Sequence, residues 1–113
     1  GQQATAFNPT EVHEQAMRLY EEDPTNWKPV ETLLRKALLI NGSYTPALLD
    51  YGMLVSKERL AFTFADGLFQ RALRAEPLNA TVFRKYGEFQ HQHLGDLEEA
   101  KKAFEHALDL NPQ

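Results

Sequence analysis

One apolar phrase occurs twice in this chain. "FQRALRAEP" (Phe69 to Pro77) and "FEHALDLNP" (Phe104 to Pro112) both read F-x-x-A-L-x-x-x-P, and they start 35 residues apart. A self-similar period of about 20 to 50 residues constrains a fold strongly, because each unit is a supersecondary element that cannot bury its apolar face alone. Only stacked neighbours then make a core. At the same offset the chain pairs Tyr51 with Tyr86, Gly52 with Gly87, Ala65 with Ala100 and Leu73 with Leu108. Leu48/Phe83 and Leu54/Phe89 agree in type. One further step back reaches a diverged unit, with Leu34 under Phe69, Ala37 under Ala72, Leu38 under Leu73 and Gly42 under Pro77. The reading is three units, about 9–42, 45–77 and 80–112, in one domain.

Each unit reads as two helices. Phe83, Tyr86, Phe89 and Gln90 recur at helical spacing, and so do Leu97, Ala100, Phe104, Ala107 and Leu108. Between them, Gly95 suits the left-handed residue that ends a helix. Asp96 with Glu99 reads as a capping box. Asn8 before Pro9, Thr45 before Pro46, and Asn79 mark other starts. Pro112 stands where a helix cannot continue. The predicted helices are 9–22, 27–40, 45–57, 60–75, 79–93 and 96–110. Gly52, Gly87, Ala65 and Ala100 are expected where helix backbones approach closely, with Phe69 and Phe104 filling the space between units. Trp27 and Phe7 are expected as staples at helix starts.

Composition narrows the function. The 113 residues carry a net charge of -4, and nucleic acid or an anionic membrane is not the expected main partner. No run reaches the roughly 20 apolar residues of a membrane span. There is no cysteine, which excludes thiolate catalysis and Cys-ligated zinc and fits a reducing compartment. A cytoplasmic or nuclear setting is expected. Gly1 opens the chain where a natural start would show Met, so the piece is expected to be excised from a longer protein. No catalytic residue, metal site or cofactor is expected. His91 and His93 are two apart on a helix and diverge, unlike an i, i+4 zinc pair. The acidic run Glu21-Glu22-Asp23 reads as a solvated helix end, and no glycine-rich phosphate loop is present.

These residues resemble the tetratricopeptide repeats. The last unit supplies Phe83, Tyr86-Gly87, Gly95-Asp96, Ala100, Phe104, Ala107-Leu108 and Pro112, and the middle unit supplies Leu48, Tyr51-Gly52, Ala65, Phe69, Ala72-Leu73 and Pro77. The period is one residue longer than the family's usual 34. Phe83, Tyr86 and Phe89, with "AKKAFEHAL", are similar to the half-a-tetratricopeptide variant of RNA-processing scaffolds. In the middle unit Leu60 replaces the turn glycine, so that turn is expected to differ. The resemblance implies an all-α fold, a right-handed superhelical stack of three helix-turn-helix repeats (an α-solenoid). It also implies a non-catalytic scaffold that binds a protein or peptide in the groove lined by the first helices.

Carried over position by position, the groove residues are Arg18, Leu49, Asp50, Met53, Arg84, Lys85 and Glu88, flanked by Glu14, Gln15 and Gln92. The clamp that chaperone-binding members place around a C-terminal carboxylate falls here on Glu14, Arg18, Asp50, Thr81 and Lys85. Two acids at such a clamp oppose a carboxylate ligand, so a chaperone tail peptide is not expected. Phe64 aligns with the solvent position of Glu99 and is expected as an exposed contact. The apolar end of the last helix is expected to be exposed, which offers a homodimer contact. Self-association in an RNA-processing assembly is the alternative function.

Overall fold

The computed structural model describes residues 8–112. They form six α-helices and one π-helical segment, with no strand among the described residues. The helices are α1 (Pro9–Glu22), α2 (Lys28–Ile40), α3 (Thr45–Glu58), α4 (Phe62–Ala75), α5 (Ala80–Phe89) and α6 (Leu97–Leu110); the π-helical segment, Gln90–Leu94, extends α5. Short turns fold them into three hairpins, α1–α2, α3–α4 and α5–α6, and each hairpin packs most closely within itself. The middle hairpin touches both others, through α2 on α3, α3 on α5 and α4 on α5. The molecule measures 46 × 28 × 24 Å. None of its described helices is long and apolar enough to cross a membrane.

Side-chain caps start three of the six helices as the residue types require. Asn8 Oδ1 accepts the Thr10 N–H at 2.9 Å, and Asn79 Oδ1 accepts that of Thr81 at 2.9 Å. Asp96 Oδ1 accepts the Glu99 N–H at 3.2 Å. The reciprocal half of that expected capping box does not form. The Asp96 N–H donates to the Gln90 carbonyl at 2.9 Å, and the Glu99 carboxylate pairs with Lys102. Thr45 is no cap either: Tyr44 holds the cap position, and the Thr45 hydroxyl donates to Glu76. Trp27 does sit at the cap position of α2, half-buried, with the Arg59 guanidinium 4.7 Å over its ring. Phe7 lies outside the described residues.

The expected close approaches are present, and their partner is specific. A Cβ built on Gly52 would lie 2.8 Å from Cε2 of Phe69, and one on Gly87 would lie 2.8 Å from Cε1 of Phe104. Each ring therefore lies flat against the first helix of its own hairpin at a residue that has no side chain. Ala65 and Ala100 are buried beside them. Phe69 is fully buried because the next hairpin covers it: Phe89 stacks on it at 4.8 Å and Tyr86 lies at 5.7 Å. A buried aromatic of this kind contributes about 2–3 kcal/mol by area removed from water. The first hairpin uses another solution. Met17 and Leu34 occupy the register of glycine and phenylalanine there.

Polar ties join the hairpins. Glu31 is buried, and Arg59 holds its carboxylate at 2.9 and 2.6 Å. The Arg59 hydrogen bonds outweigh burial and hold the Glu31 carboxyl below its ordinary range. Between the second and third hairpins, the Tyr86 hydroxyl donates to Asp66 at 2.7 Å and accepts from Gln70 at 2.9 Å. Burial, then the Asp66 carboxylate, push the Tyr86 phenol up to about 12.

The α3–α4 turn differs from expectation in an instructive way. It keeps the conformation of the glycine turn although the glycine is gone. Leu60 takes φ 53° where Gly95 takes φ 65°. The Ala61 N–H reaches the Val55 carbonyl at 3.1 Å, as the Asp96 N–H reaches that of Gln90. Helix α4 consequently starts at Phe62 and not at 60. A left-handed leucine costs roughly 1–2 kcal/mol, and its side chain is 68% exposed, so it gains little packing in return.

Two substitutions test this account. Leu60→Gly should stabilise the fold by about 0.5–1 kcal/mol, the strain relief less the unfolded-state entropy of glycine. Chemical denaturation reads it, and a loss of stability would contradict the strained turn. Gly52→Ala should cost on the order of 1–3 kcal/mol by overpacking, despite the better helix propensity of alanine. Phe69→Leu in the same chain should recover part of that loss, and simple additivity of the two would count against direct contact.

Candidate functional site

A hollow of about 410 Å³ lies between α1, α2, α3 and the π-helical segment. Val30 and Leu34 of α2 form its floor, and both are buried. Met17 and Tyr20 of α1 face Met53 and Leu54 of α3 across it. The rim is polar: Asp50, Lys57, Gln92 and His93.

Local sequence explains these positions. Met17 can project into the hollow because Leu34, smaller than phenylalanine, asks for no glycine opposite it. His93 arrives through the π-turn, which carries its ring to 5.9 Å from Phe62 and 6.2 Å from Phe89. Such turns insert a residue into the helical ladder and frequently mark functional positions. Gln90, where the segment begins, is buried, and its Oε1 has no hydrogen-bond partner.

The rim charges are already engaged. His13 Nε2 lies 2.6 Å from Asp50 Oδ2, and the His13 ring packs edge-on to Tyr44 at 5.9 Å. Tyr44 in turn donates to Thr10 at 3.0 Å. The Lys57 ammonium donates to the Tyr20 hydroxyl at 3.4 Å and lies 5.9 Å from that ring's centroid. Apolar walls with fixed polar groups at the mouth suit the burial of one or two apolar side chains of an incoming segment. Two thioethers in the wall add adaptability, since methionine repacks easily. Among the described residues, no three His, Asp or Glu side chains converge in a way that could hold a metal.

The residues expected in one groove separate into several places. Asp50 and Met53 line the hollow. Leu49 does not: it is 7% exposed and belongs to the core, because its side of α3 is covered by the next hairpin. Arg84 lines a different hollow of about 290 Å³ between α5 and α6, beside Thr81, Phe104 and Leu108. Lys85 and Glu88 pair with each other at 3.5 Å, and Arg18 is exposed on α1. Phe64 is 51% exposed, edge-on to Tyr51 at 5.6 Å, on the side of the second helices. Sequence reasoning missed Met17, Tyr20, Lys57 and His93. The joint replacement of glycine by Met17 and of phenylalanine by Leu34 was the available signal for the first of these.

No protein-family model matches the chain, and no curated protein matches it.

Core and rim are separable by paired substitutions. Met53→Glu should change stability by less than about 1 kcal/mol, since the side chain borders solvent. Leu49→Glu should cost at least about 3 kcal/mol by burying an unpaired carboxylate. Thermal denaturation distinguishes them, and equal losses would remove Met53 from the surface.

Proposed function

We propose that the chain is a tetratricopeptide-like α-solenoid, three helix-turn-helix units in a right-handed superhelical stack. In this reading it is a non-catalytic scaffold that binds a partner protein or peptide along its first helices. The carrying observation is the hollow between α1 and α3, with Met17, Tyr20, Met53 and Leu54 as walls and Asp50 and Lys57 at the mouth. Apolar anchors in a small desolvated pocket dominate the energy of such contacts. Asp50, held by His13, keeps a carboxylate at a clamp position, which supports the expectation that a chaperone-type C-terminal carboxylate is not the ligand. Arg18, Arg84 and Lys85 lie outside the hollow and would act on a longer partner through charge.

A second reading, self-association of a half-a-tetratricopeptide scaffold, is favoured by one feature. Phe69 is sealed by Tyr86 and Phe89, whereas Phe104 in the same register is only half-buried and lies beside Leu108, 57% exposed.

The test is affinity capture, followed by titration of the purified partner. Met53→Glu should raise the Kd at least about tenfold. An unchanged Kd for both Met53→Glu and Lys57→Glu would rule out the hollow. Sedimentation over a wide concentration range decides the second reading: Leu108→Glu should abolish any dimer, and a monomer throughout would exclude it.

A further inference from the structure

On the side of the second helices, two hollows occupy one niche at the repeat offset. Leu38, Tyr51, Phe64, Leu68 and Arg71 line the first, among α2, α3 and α4. Leu73, Tyr86, Glu99, Ala103 and His106 line the second, among α4, α5 and α6. Each residue of the first set lies 35 positions before its counterpart. The framework residues Leu38/Leu73 and Tyr51/Tyr86 repeat, and the chemistry around them does not. Where the second niche carries Glu99, the first carries the half-exposed Phe64. Where the second carries His106, the first carries Arg71. Arg35 and the 88% exposed Leu39 complete the first niche, which encloses about 250 Å³.

Charge on the two helices that supply its arginines runs against the whole molecule. The chain is acidic overall, at -4, yet α2 and α4 carry Lys28, Arg35, Lys36, Arg71 and Arg74 against only Glu31 and Asp66. Both acids are engaged internally, Glu31 by Arg59 and Asp66 by Tyr86. The two arginines at the niche retain free donors. Arg71 spends Nη2 on the Gly42 carbonyl at 2.8 Å, and Arg35 acts on Glu31 and Tyr51 only through space. An apolar hollow of side-chain size, open to solvent and bordered by two guanidinium groups, is complementary to an apolar residue beside a carboxylate.

We propose that the α2–α4 niche docks an acidic segment of a partner protein, seating one leucine- or phenylalanine-sized side chain between Leu39 and Phe64 with a neighbouring carboxylate on Arg35 or Arg71. The surface is separate from the α1–α3 hollow, and the proposal stands independently of that site. A peptide fits better than a nucleic acid or an anionic membrane, because the recognition element is a concave apolar pocket with few cations. Phosphate surfaces are held instead by many cations spread along a face.

The isotope-labelled full chain is titrated by NMR with a ten-residue peptide carrying one leucine among glutamates. The same peptide with glutamines for glutamates, or serine for leucine, serves as comparison. Shifts should concentrate at Arg35, Leu39, Phe64 and Arg71, and both comparison peptides should bind at least about tenfold more weakly. Arg35→Glu should weaken binding to a similar degree, and so should Phe64→Glu, which copies Glu99. Leu39→Ser, at a fully solvated position, keeps the fold and should lower affinity several-fold. Equal binding of the glutamine peptide would overturn the proposal, as would shifts centred on Met17 and Met53. Stronger perturbation of the same residues by phosphatidylserine vesicles or by an oligouridine RNA would also overturn it.

Discussion

A phenylalanine ring lying on a bare stretch of helix closes each of the two later hairpins. At Gly52 and Gly87 any side chain would collide with Phe69 or Phe104. The ring can lie flat only because the glycine is there, and the helix accepts glycine, at about 1 kcal/mol in propensity, only because the ring covers it. This mutual dependence sets how closely α3 approaches α4 and α5 approaches α6. It also leaves one face of the Phe69 ring for the next hairpin, and Tyr86 and Phe89 take that face. The site inherits the rule by exception. The first hairpin abandons the pair, and Met17, released from packing against an aromatic ring, becomes a wall of the hollow.

Most of the fold was legible as periodicity. Apolar spacing and proline positions located five of the six helices to within two residues at both ends, because packing letters recur wherever helices must meet; α5 ends at Phe89, four residues before the expected 93. What stayed hidden depended on backbone geometry that a residue's type does not dictate. Leu60 was expected to change its turn and instead adopts the glycine conformation, since the flanking helices fix the chain's exit more strongly than one residue's preference opposes it. Gln90–Leu94 was read as plain helix; apolar spacing does not separate a π-turn from an α-turn over five residues. The candidate site was less legible. Leu49 has the look of a groove residue, but a helix gripped on two sides exposes a narrower stripe than its position in the repeat implies. Met17, Lys57 and His93 come together only once the hairpins are stacked.

The two faces of the molecule divide by chemistry. The first helices surround an apolar hollow whose charged rim groups already have hydrogen-bond partners, Asp50 in His13 and Lys57 in Tyr20. An incoming group there gains chiefly by burial. The second helices of the first two hairpins keep guanidinium groups with donors to spare beside exposed Phe64 and Leu39. Attraction on that side falls with ionic strength, since charges exposed to solvent are screened over about 10 Å in ordinary salt. On the two proposed docking modes, one face would act through dispersion and burial, and the other through charge.

The Tyr86 tie has a consequence in proton linkage. Its phenol, raised to about 12, ionises in the unfolded chain near the ordinary value of 10. The stabilisation linked to the protonated phenol, from its burial first and then from Asp66, is therefore complete below pH 10 and is lost as pH rises through 12. Because Asp66 and Gln70 belong to the second hairpin and Tyr86 to the third, the lost proton acts on the seam between them and not on either hairpin alone. The high-pH end of the ultraviolet tyrosine titration, which Tyr51 shares because its phenol is also raised, thus registers the docking of units.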